Sequence, residues 1–342
     1  VAGTFVMFDP YGVMTEGGTL ALATYNWPMK VLVTGAGTLG TQLVKKLREM
    51  SVQEIRVLDM SEEALWRLEE SLDLDSIEGP PVKLFLGDIR DHDRMKLAMK
   101  EVDTIFHTAA LKHVRYTNYN PVECVRTNVD AVADLITQSV ESPTVKVFCN
   151  MSSDKACLPN NIYGECKKIS ERLTTWGWRI SGKSFFSVRS GNFLGSRGSV
   201  LDRWKEQSAN NTIQLTSKNM NRFFIKPSEA AQYLIDLSLE WPQNIGGCVC
   251  TPFLKNINMG ILAKVFAERW GVGIEDIGPQ EGEKMDEMLI SHEEASRTMQ
   301  TEKMGWWTRP SLVDEPVGGA ISTAGVPSAG LTETEKYVKE FL

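Results

Sequence analysis

No excess of basic residues, no paired cysteine spacing and no long apolar run occur in this 342-residue chain. Its 37 lysines and arginines face 44 acidic residues, so the basic stripe of a polyanion binder is missing and nucleic acid is not an expected partner. An anionic small ligand must then be met by individual lysines and arginines. The six cysteines, Cys124, Cys149, Cys157, Cys166, Cys248 and Cys250, form no CxxC pair. They read as buried free thiols in a reducing compartment, with neither metal nor disulfide expected. No apolar run approaches the roughly 18 residues needed to span a bilayer, and the N-terminus lacks a signal-peptide pattern. A cytoplasmic globular protein with no membrane partner is the expectation. There is no internal repeat.

What the chain does have is alternation. Residues 1–28 lack sustained periodicity and are read as an extension without assigned function, with Met29 as the native start. From Lys30 onward, the short apolar runs Lys30 to Thr34, Glu54 to Leu58, Val82 to Leu86, Thr104 to Phe106, Val145 to Cys149 and Phe185 to Val188 read as strands separated by helical segments. Such alternation predicts an α/β fold with a doubly wound parallel sheet. Beyond Gly191 the rhythm loosens, which predicts a second, smaller domain. The expected division is 29–192 plus 218–250 for a dinucleotide-binding domain, 193–217 plus 251–310 for a substrate-binding domain, and 311–342 for a tail. The stretch 311–330, rich in Gly, Ser, Pro and Ala, predicts extended chain.

The first strand runs straight into Gly35-Ala36-Gly37-Thr38-Leu39-Gly40 and a helical segment. Glycines permit a tight turn and close approach of a pyrophosphate to backbone N–H groups, and the helix N-terminus adds partial positive charge. Alone the spacing is weak. Between strand and helix, with Asp59 ending the second strand, it becomes a dinucleotide fingerprint. Asp59 suits the two adenosine ribose hydroxyls and repels a 2′-phosphate, which favours NAD over NADP. Asp88 and Ile89, after the third strand, are expected to border the adenine.

Tyr163 and Lys167 stand at i and i+4, on one face of a helix. A tyrosine hydroxyl must become roughly 4 kcal/mol easier to ionise to act as a base at neutral pH, and a neighbouring ammonium works in that direction. Tyr163 could then accept a proton from a substrate hydroxyl during hydride transfer, with Lys167 holding the nicotinamide ribose. Nine residues earlier stand Asp154 and Lys155. A ketone acidifies the adjacent C–H, so a base on that hydrogen and an acid on a β-hydroxyl suffice for loss of water. For this the lysine must be neutral and the aspartic acid protonated, a pair that burial is expected to favour.

Ser152-Ser153-Asp154-Lys155-Ala156, Asn161-Ile162-Tyr163-Gly164 and Lys167 resemble the extended short-chain dehydrogenase/reductases, and within them the inverting UDP-N-acetylglucosamine 4,6-dehydratases that open pseudaminic acid synthesis. The likeness runs through Gly87 to Asp91, His107 to His113, Asn120 to Cys124, Thr127-Asn128, Val188 to Asn192, Leu194 to Val200, Asn221 to Ile225 and Gly282 to Lys284, and covers about residues 29 to 310. It implies a Rossmann fold with a nucleotide-sugar-binding domain, a cofactor regenerated in each turnover, and a homo-oligomer. It implies Asp154 as the acid at the C6 hydroxyl, Lys155 as the base at C5 and Tyr163 in the C4 oxidation. It further places Thr38, Leu39, Thr108, Ala109, Ala110, Lys112, Ser152 and Phe193 beside Gly35, Gly37, Gly40, Asp59, Asp88, Ile89, Tyr163 and Lys167 at the cofactor. Lys112, Ser153, Asn192, Arg197, Arg222 and Glu283 fall to the nucleotide sugar. Membrane-anchored retaining relatives carry methionine at the position of Tyr163, so the tyrosine points to the soluble inverting branch.

The chain departs from that family pattern in a glycine loop shorter by one residue, in Gln280 and Glu281 where arginine and proline are usual, and in Asp59-Met60-Ser61-Glu62, which is closer to the retaining relatives. Two alternatives stay open. A nucleotide-sugar 4-epimerase or combined dehydratase/5-epimerase would use the same fold, and a non-catalytic NAD-sensing module would bind cofactor without turnover.

Overall fold

A computed structural model describes residues 7–8, 14–15, 29–72, 79–240 and 242–342. The reading of 1–28 as an extension therefore falls almost wholly outside the described residues. From one edge to the other, the main sheet runs Thr298–Gln300, Trp306–Thr308, Val249–Thr251, Ser184–Ser190, Val147–Ser153, Thr104–His107, Lys30–Thr34, Glu54–Asp59 and Val82–Leu86. From Val249–Thr251 onward the neighbours are parallel, and the two strands at the other edge are antiparallel. The order reverses between Lys30–Thr34 and Thr104–His107, the switch point at which open α/β sheets bind ligands.

Both faces of the sheet are covered, and the apolar residues alternate accordingly. Val31, Val33, Ile55, Val57, Cys149 and Phe186 pack with the helices Thr38–Arg48, Glu62–Leu72 and Pro227–Glu240 on one face. Leu32, Leu58, Ile105, Phe148 and Phe185 pack with His92–Ala98 and Ala131–Glu141 on the other. Burial on both faces explains why these strands read as apolar runs.

Two strands are longer than their apolar runs. The fifth parallel strand, expected at Val145 to Cys149, occupies Val147–Ser153. Its polar end is stable in the sheet because each side chain finds a partner. Asn150 Nδ2 donates to Ser170, Thr174 and Ser187 hydroxyls, and Ser152 Oγ donates to Glu171 Oε1 at 2.6 Å. The next strand likewise extends to Ser190 and carries Arg189.

A smaller core gathers Leu201, Trp204, Ile213, Phe224, Ile257, Leu262, Phe266 and Val338. Its sheet joins Asn221–Ile225 to Lys255–Asn258 and Asn192–Phe193. The expected division therefore needs adjustment at three points. Strand Asn221–Ile225 sits with the smaller core, whereas Thr298–Gln300 and Trp306–Thr308 extend the large sheet. The 311–342 segment packs as well. Ile321–Ser322 pairs with Met288–Ile290, and the helix Leu331–Val338 buries Thr334 and Val338. Backbone pairing and burial, which composition does not report, place this segment.

Arg189 ties the long helix Ile162–Ser181 to the segment 289–294. Its fully buried guanidinium donates to Glu171 at 2.7 and 3.0 Å, to Glu294 at 2.8 and 3.0 Å, and to the Leu289 carbonyl at 2.6 Å. Glu294 also accepts Lys168 Nζ at 2.7 Å and closes a capping box with Ser291. Its carboxyl lies far below the usual range: burial opposes ionisation, but Arg189 and Lys168 override it. Arg189→Ala leaves two buried carboxylates without their shared partner, so chemical denaturation should show a loss of about 3–5 kcal/mol.

Candidate active site

At the switch point, the helix Thr38–Arg48 starts at Gly37 with no side-chain cap and no acidic residue in its first turn. Its N–H groups are open to an anion. Gly35 has φ +95°, and a Cβ there would lie 2.9 Å from Ala109 N. A Cβ on Gly40 would lie 1.8 Å from the Gly35 carbonyl oxygen, whereas one on Gly37 would meet nothing within 4 Å. Gly35 and Gly40 thus let the turn pack on itself, and Gly37 faces open space. Asp59 fixes the loop by accepting from Ala36 N at 2.7 Å and Ser61 N at 2.8 Å.

A cleft of about 380 Å³ lies above this turn, lined by Gly37, Thr38, Asp59, Ser61, Ala64, Lys112, His113, Arg197 and Gly198. Asn128, buried in a π-helical turn, holds the Leu111 N–H and C=O through both ends of its amide and so fixes the loop that carries Lys112. Lys112 Nζ donates to the Arg197 carbonyl at 2.8 Å, and Arg197 Nη2 to the Ala36 carbonyl at 3.1 Å. Burial and the Arg197 guanidinium lower the Lys112 ammonium. Two crowded cations above an uncapped helix N-terminus, and a glycine facing open space, fit a dinucleotide pyrophosphate.

Strand Val147–Ser153 delivers the next residues directly into the turn Asp154–Ala156. The helix Ile162–Ser181 then returns alongside, its first turn capped by Asn161 Oδ1 on Gly164 N at 2.9 Å. Gly164 allows that close return, since a Cβ would lie 2.3 Å from the Lys155 carbonyl oxygen. Lys155 Nζ stands 3.0 Å from Asp154 Oδ1, which also accepts from Ser153 Oγ at 3.0 Å. Tyr163 and Lys167 are both buried. Lys167 Nζ donates to the Met151 carbonyl at 2.7 Å. Burial raises the Tyr163 hydroxyl, with the Lys155 ammonium and the Ser153 hydroxyl pulling it down. Burial brings Lys167 down to about 8, with Glu171 acting against it. His107 is neutral, lowered to about 3 by burial and by Lys167, and pairs with Thr34 Oγ1 at 2.8 Å.

One residue escaped the sequence reading. Glu287, at 3% exposure, places Oε1 3.5 Å from Lys155 Nζ and 3.9 Å from Arg222 Nε. The expected neutral Asp154/Lys155 pair is accordingly corrected. Burial opposes charge on Lys155, but the carboxylates of Asp154 and Glu287 raise it above its ordinary value and hold it as ammonium. Only the Glu-rich local sequence around 281–287 hinted at such a partner, and nothing in its spacing distinguished Glu287 from Glu283.

The other expected residues separate into two groups. Thr108 Oγ1 donates to the Thr34 carbonyl beside Gly35, and Ala109 packs against that glycine. Ala110, which follows in the same loop, is half-buried. Arg197, expected at the sugar, lines the cleft above the glycine turn, because its loop folds back onto Thr38 and Ala36. The side chains of Leu39 and Ile89 lie in the two cores, and Phe193 packs against one of them. Asp88 is paired with Arg90 at 2.6 Å. Ser152 is committed to Glu171. Asn192 donates to the Phe223 carbonyl, and Glu283 closes a local turn by accepting from Gln280 N. Each of these last side chains has a partner within the chain, and Gln280 contributes its backbone to the turn at Glu283. Among the described residues, no group of three His, Cys, Asp or Glu side chains could hold a metal, and no helix is long and apolar enough to cross a membrane.

A glycine-turn cleft at the switch point, beside a buried tyrosine and lysine one helical turn apart, defines an extended short-chain dehydrogenase/reductase. The chain belongs to the polysaccharide biosynthesis protein family, whose sequence profile matches residues 31–308. It is 38% identical over 288 residues to an uncharacterized membrane protein of Methanocaldococcus jannaschii, covering 80% of this chain and 84% of the relative. It is 32% identical over 303 residues to the UDP-N-acetylglucosamine 4,6-dehydratase (inverting) of Campylobacter jejuni, covering 86% and 87%. Among solved structures, Pen from Bacillus thuringiensis matches with a TM-score of 0.84 at 29% identity, covering 91% of this chain and 97% of that one.

The two glycines make opposite predictions. Gly40→Ala should cost about 1–3 kcal/mol of stability by overpacking the turn, visible as a lower melting temperature. Gly37→Ala should melt like the parent but bind dinucleotide about tenfold more weakly, about 1.4 kcal/mol by calorimetry.

Proposed function

We propose that the chain is a nucleotide-sugar 4,6-dehydratase acting on UDP-N-acetylglucosamine with inversion at C5. The observation that carries this reading is the Asp154/Lys155 contact of 3.0 Å at the strand end, beside Tyr163. An oxidoreductase or epimerase needs the tyrosine but has no use for that acid and base. The Campylobacter jejuni relative, bearing the name of this activity, supports the same substrate.

The turn 35–40, Thr38, Lys112 and Arg197 would hold the pyrophosphate of a nicotinamide dinucleotide, and Lys167 its ribose. NAD is favoured over NADP because Asp59 presents a carboxylate where a 2′-phosphate would stand. When bound, the dinucleotide supplies hydride acceptance from C4 and its return to C6. The chain supplies the proton transfers. Tyr163 takes the C4 hydroxyl proton, helped by the Lys155 ammonium and Ser153. Lys155, once its own proton has passed to Asp154, removes the C5 hydrogen acidified by the new ketone. Asp154 then protonates the C6 hydroxyl, which leaves as water. The Tyr163 hydroxyl, which holds the proton from C4, reprotonates C5 on the other face and so completes inversion and returns each group to its starting state.

Six buried thiols suit the cytoplasm. A homo-oligomer is supported by exposed Ile169, Trp176 and Ile180 on the long helix and by Tyr116, Tyr119 and Val122 on the adjoining short ones.

Incubated with UDP-N-acetylglucosamine and NAD in heavy water, the protein should give a product with a C6 methyl signal in proton NMR and deuterium at C5, without net NADH. A product that keeps its CH₂OH group would exclude dehydration. Tyr163→Phe should lower kcat about 10²- to 10⁴-fold, while dinucleotide binding, measured by calorimetry, stays unchanged.

A further inference from the structure

Glu287 is a carboxylate that the acid, base and tyrosine of the elimination leave without a task, yet it is built into their midst. It stands just before the strand Met288–Ile290. Its backbone N–H donates to Thr323 Oγ1 at 3.0 Å, and its carbonyl accepts from Thr323 N at 2.9 Å. Thr323 in turn donates to Asp286 Oδ1 at 2.8 Å. The side chain is thus aimed from a fixed main chain. One oxygen reaches Lys155 and Arg222; the other, Oε2, is buried with no hydrogen-bond partner, as is Asp154 Oδ2. Bare carboxylate oxygens are costly in an interior. On both sides of Lys155 an acceptor oxygen is thus left for a ligand that supplies donors.

The charges support the same conclusion. Lys155 and Arg222 face Asp154 and Glu287, with Lys284 a further cation on the Glu287 side. Before it can act as a base, Lys155 must release a proton: Lys155–NH₃⁺ and Asp154–COO⁻ become Lys155–NH₂ and Asp154–COOH. That transfer leaves Asp154 engaged with the leaving oxygen. The amine then needs another acceptor to keep its direction, and Glu287 Oε1 stands 3.5 Å from it.

We propose that Glu287 is a positioning residue for the elimination, holding Lys155 in place through both its protonation states. The proposal rests on the dehydratase reading. Lys155 and Asp154 from the strand-end turn, Arg222 from strand Asn221–Ile225 and Lys284 from its own segment are the charged groups facing Glu287. Burial raises its carboxyl, and the Lys155 ammonium acts against that. Removing the Glu287 charge therefore makes Lys155 easier to deprotonate.

Two variants test this. Glu287→Gln keeps a carbonyl acceptor and loses the charge. In free protein labelled with ¹⁵N at lysine Nζ, the Lys155 titration should move to lower pH by about one unit, and the acid limb of the kcat profile should move the same way. Glu287→Ala loses the acceptor as well. It should slow oxidation of the sugar at C4 by less than about tenfold but elimination of water about a hundredfold, so reduced nicotinamide accumulates in a single turnover. Unchanged Lys155 titration in Glu287→Gln, or parental elimination in Glu287→Ala, overturns the proposal. Equal loss of oxidation and elimination in Glu287→Ala also overturns it, assigning a merely structural role, provided Glu287→Gln melts like the parent. A parent protein that yields no C6 methyl product sinks the dehydratase reading instead, while the Lys155 titration still reports on Glu287 by itself.

Discussion

The buried guanidinium of Arg189 connects what the sheet builds to what the later chain adds. It comes from the strand beside Val147–Ser153, grips Glu171 on the helix that carries Tyr163 and Lys167, and binds Glu294 and the Leu289 carbonyl. Leu289 lies two residues beyond Glu287. The redox helix and the segment bearing the second carboxylate are thereby referred to one rigid point. Two ionised glutamates and a lysine keep that point electrically satisfied, as a charge removed from water requires.

Around this point, the site divides by function and by origin. The dinucleotide cleft is made from the turns that follow the early parallel strands, where N–H groups and small residues leave room for phosphate. The ionic cluster around Lys155 is made from side chains that converge from three elements far apart in sequence: the strand-end turn at 154–155, Arg222 on the smaller sheet, and Glu287. Opposite charges stand close together in this cluster, as a buried set of ionisable side chains requires.

Much of the fold was legible because burial on both faces writes apolar runs into the sequence, as at Lys30–Thr34 and Glu54–Asp59. The glycine turn was equally plain, since Gly35 and Gly40 answer to steric demands that no other residue meets. Strand ends carrying Asn150, Ser152 and Arg189 were hidden, because their burial depends on partners supplied by other elements. The fold of the Arg197 loop over the glycine turn was hidden for the same reason: local sequence does not reveal which loop will fold over which cleft. Glu287 was unreadable beside Glu283, as two carboxylates four residues apart differ only in what the distant Thr323 and Gln280 do to them. The segment 311–342 read as loose because composition reports turn-forming residues but not the edge they pair with.

The dependence of Glu287 on Thr323 gives the site an order of assembly. During synthesis, the strands and turns of the dinucleotide cleft leave the ribosome first, followed by Asp154, Lys155 and the tyrosine helix. The main-chain clamp that aims the second carboxylate can close only after residue 323 has emerged. The turns that line the cleft are therefore all made before the residue that aims Glu287, and the surroundings of Lys155 are completed last.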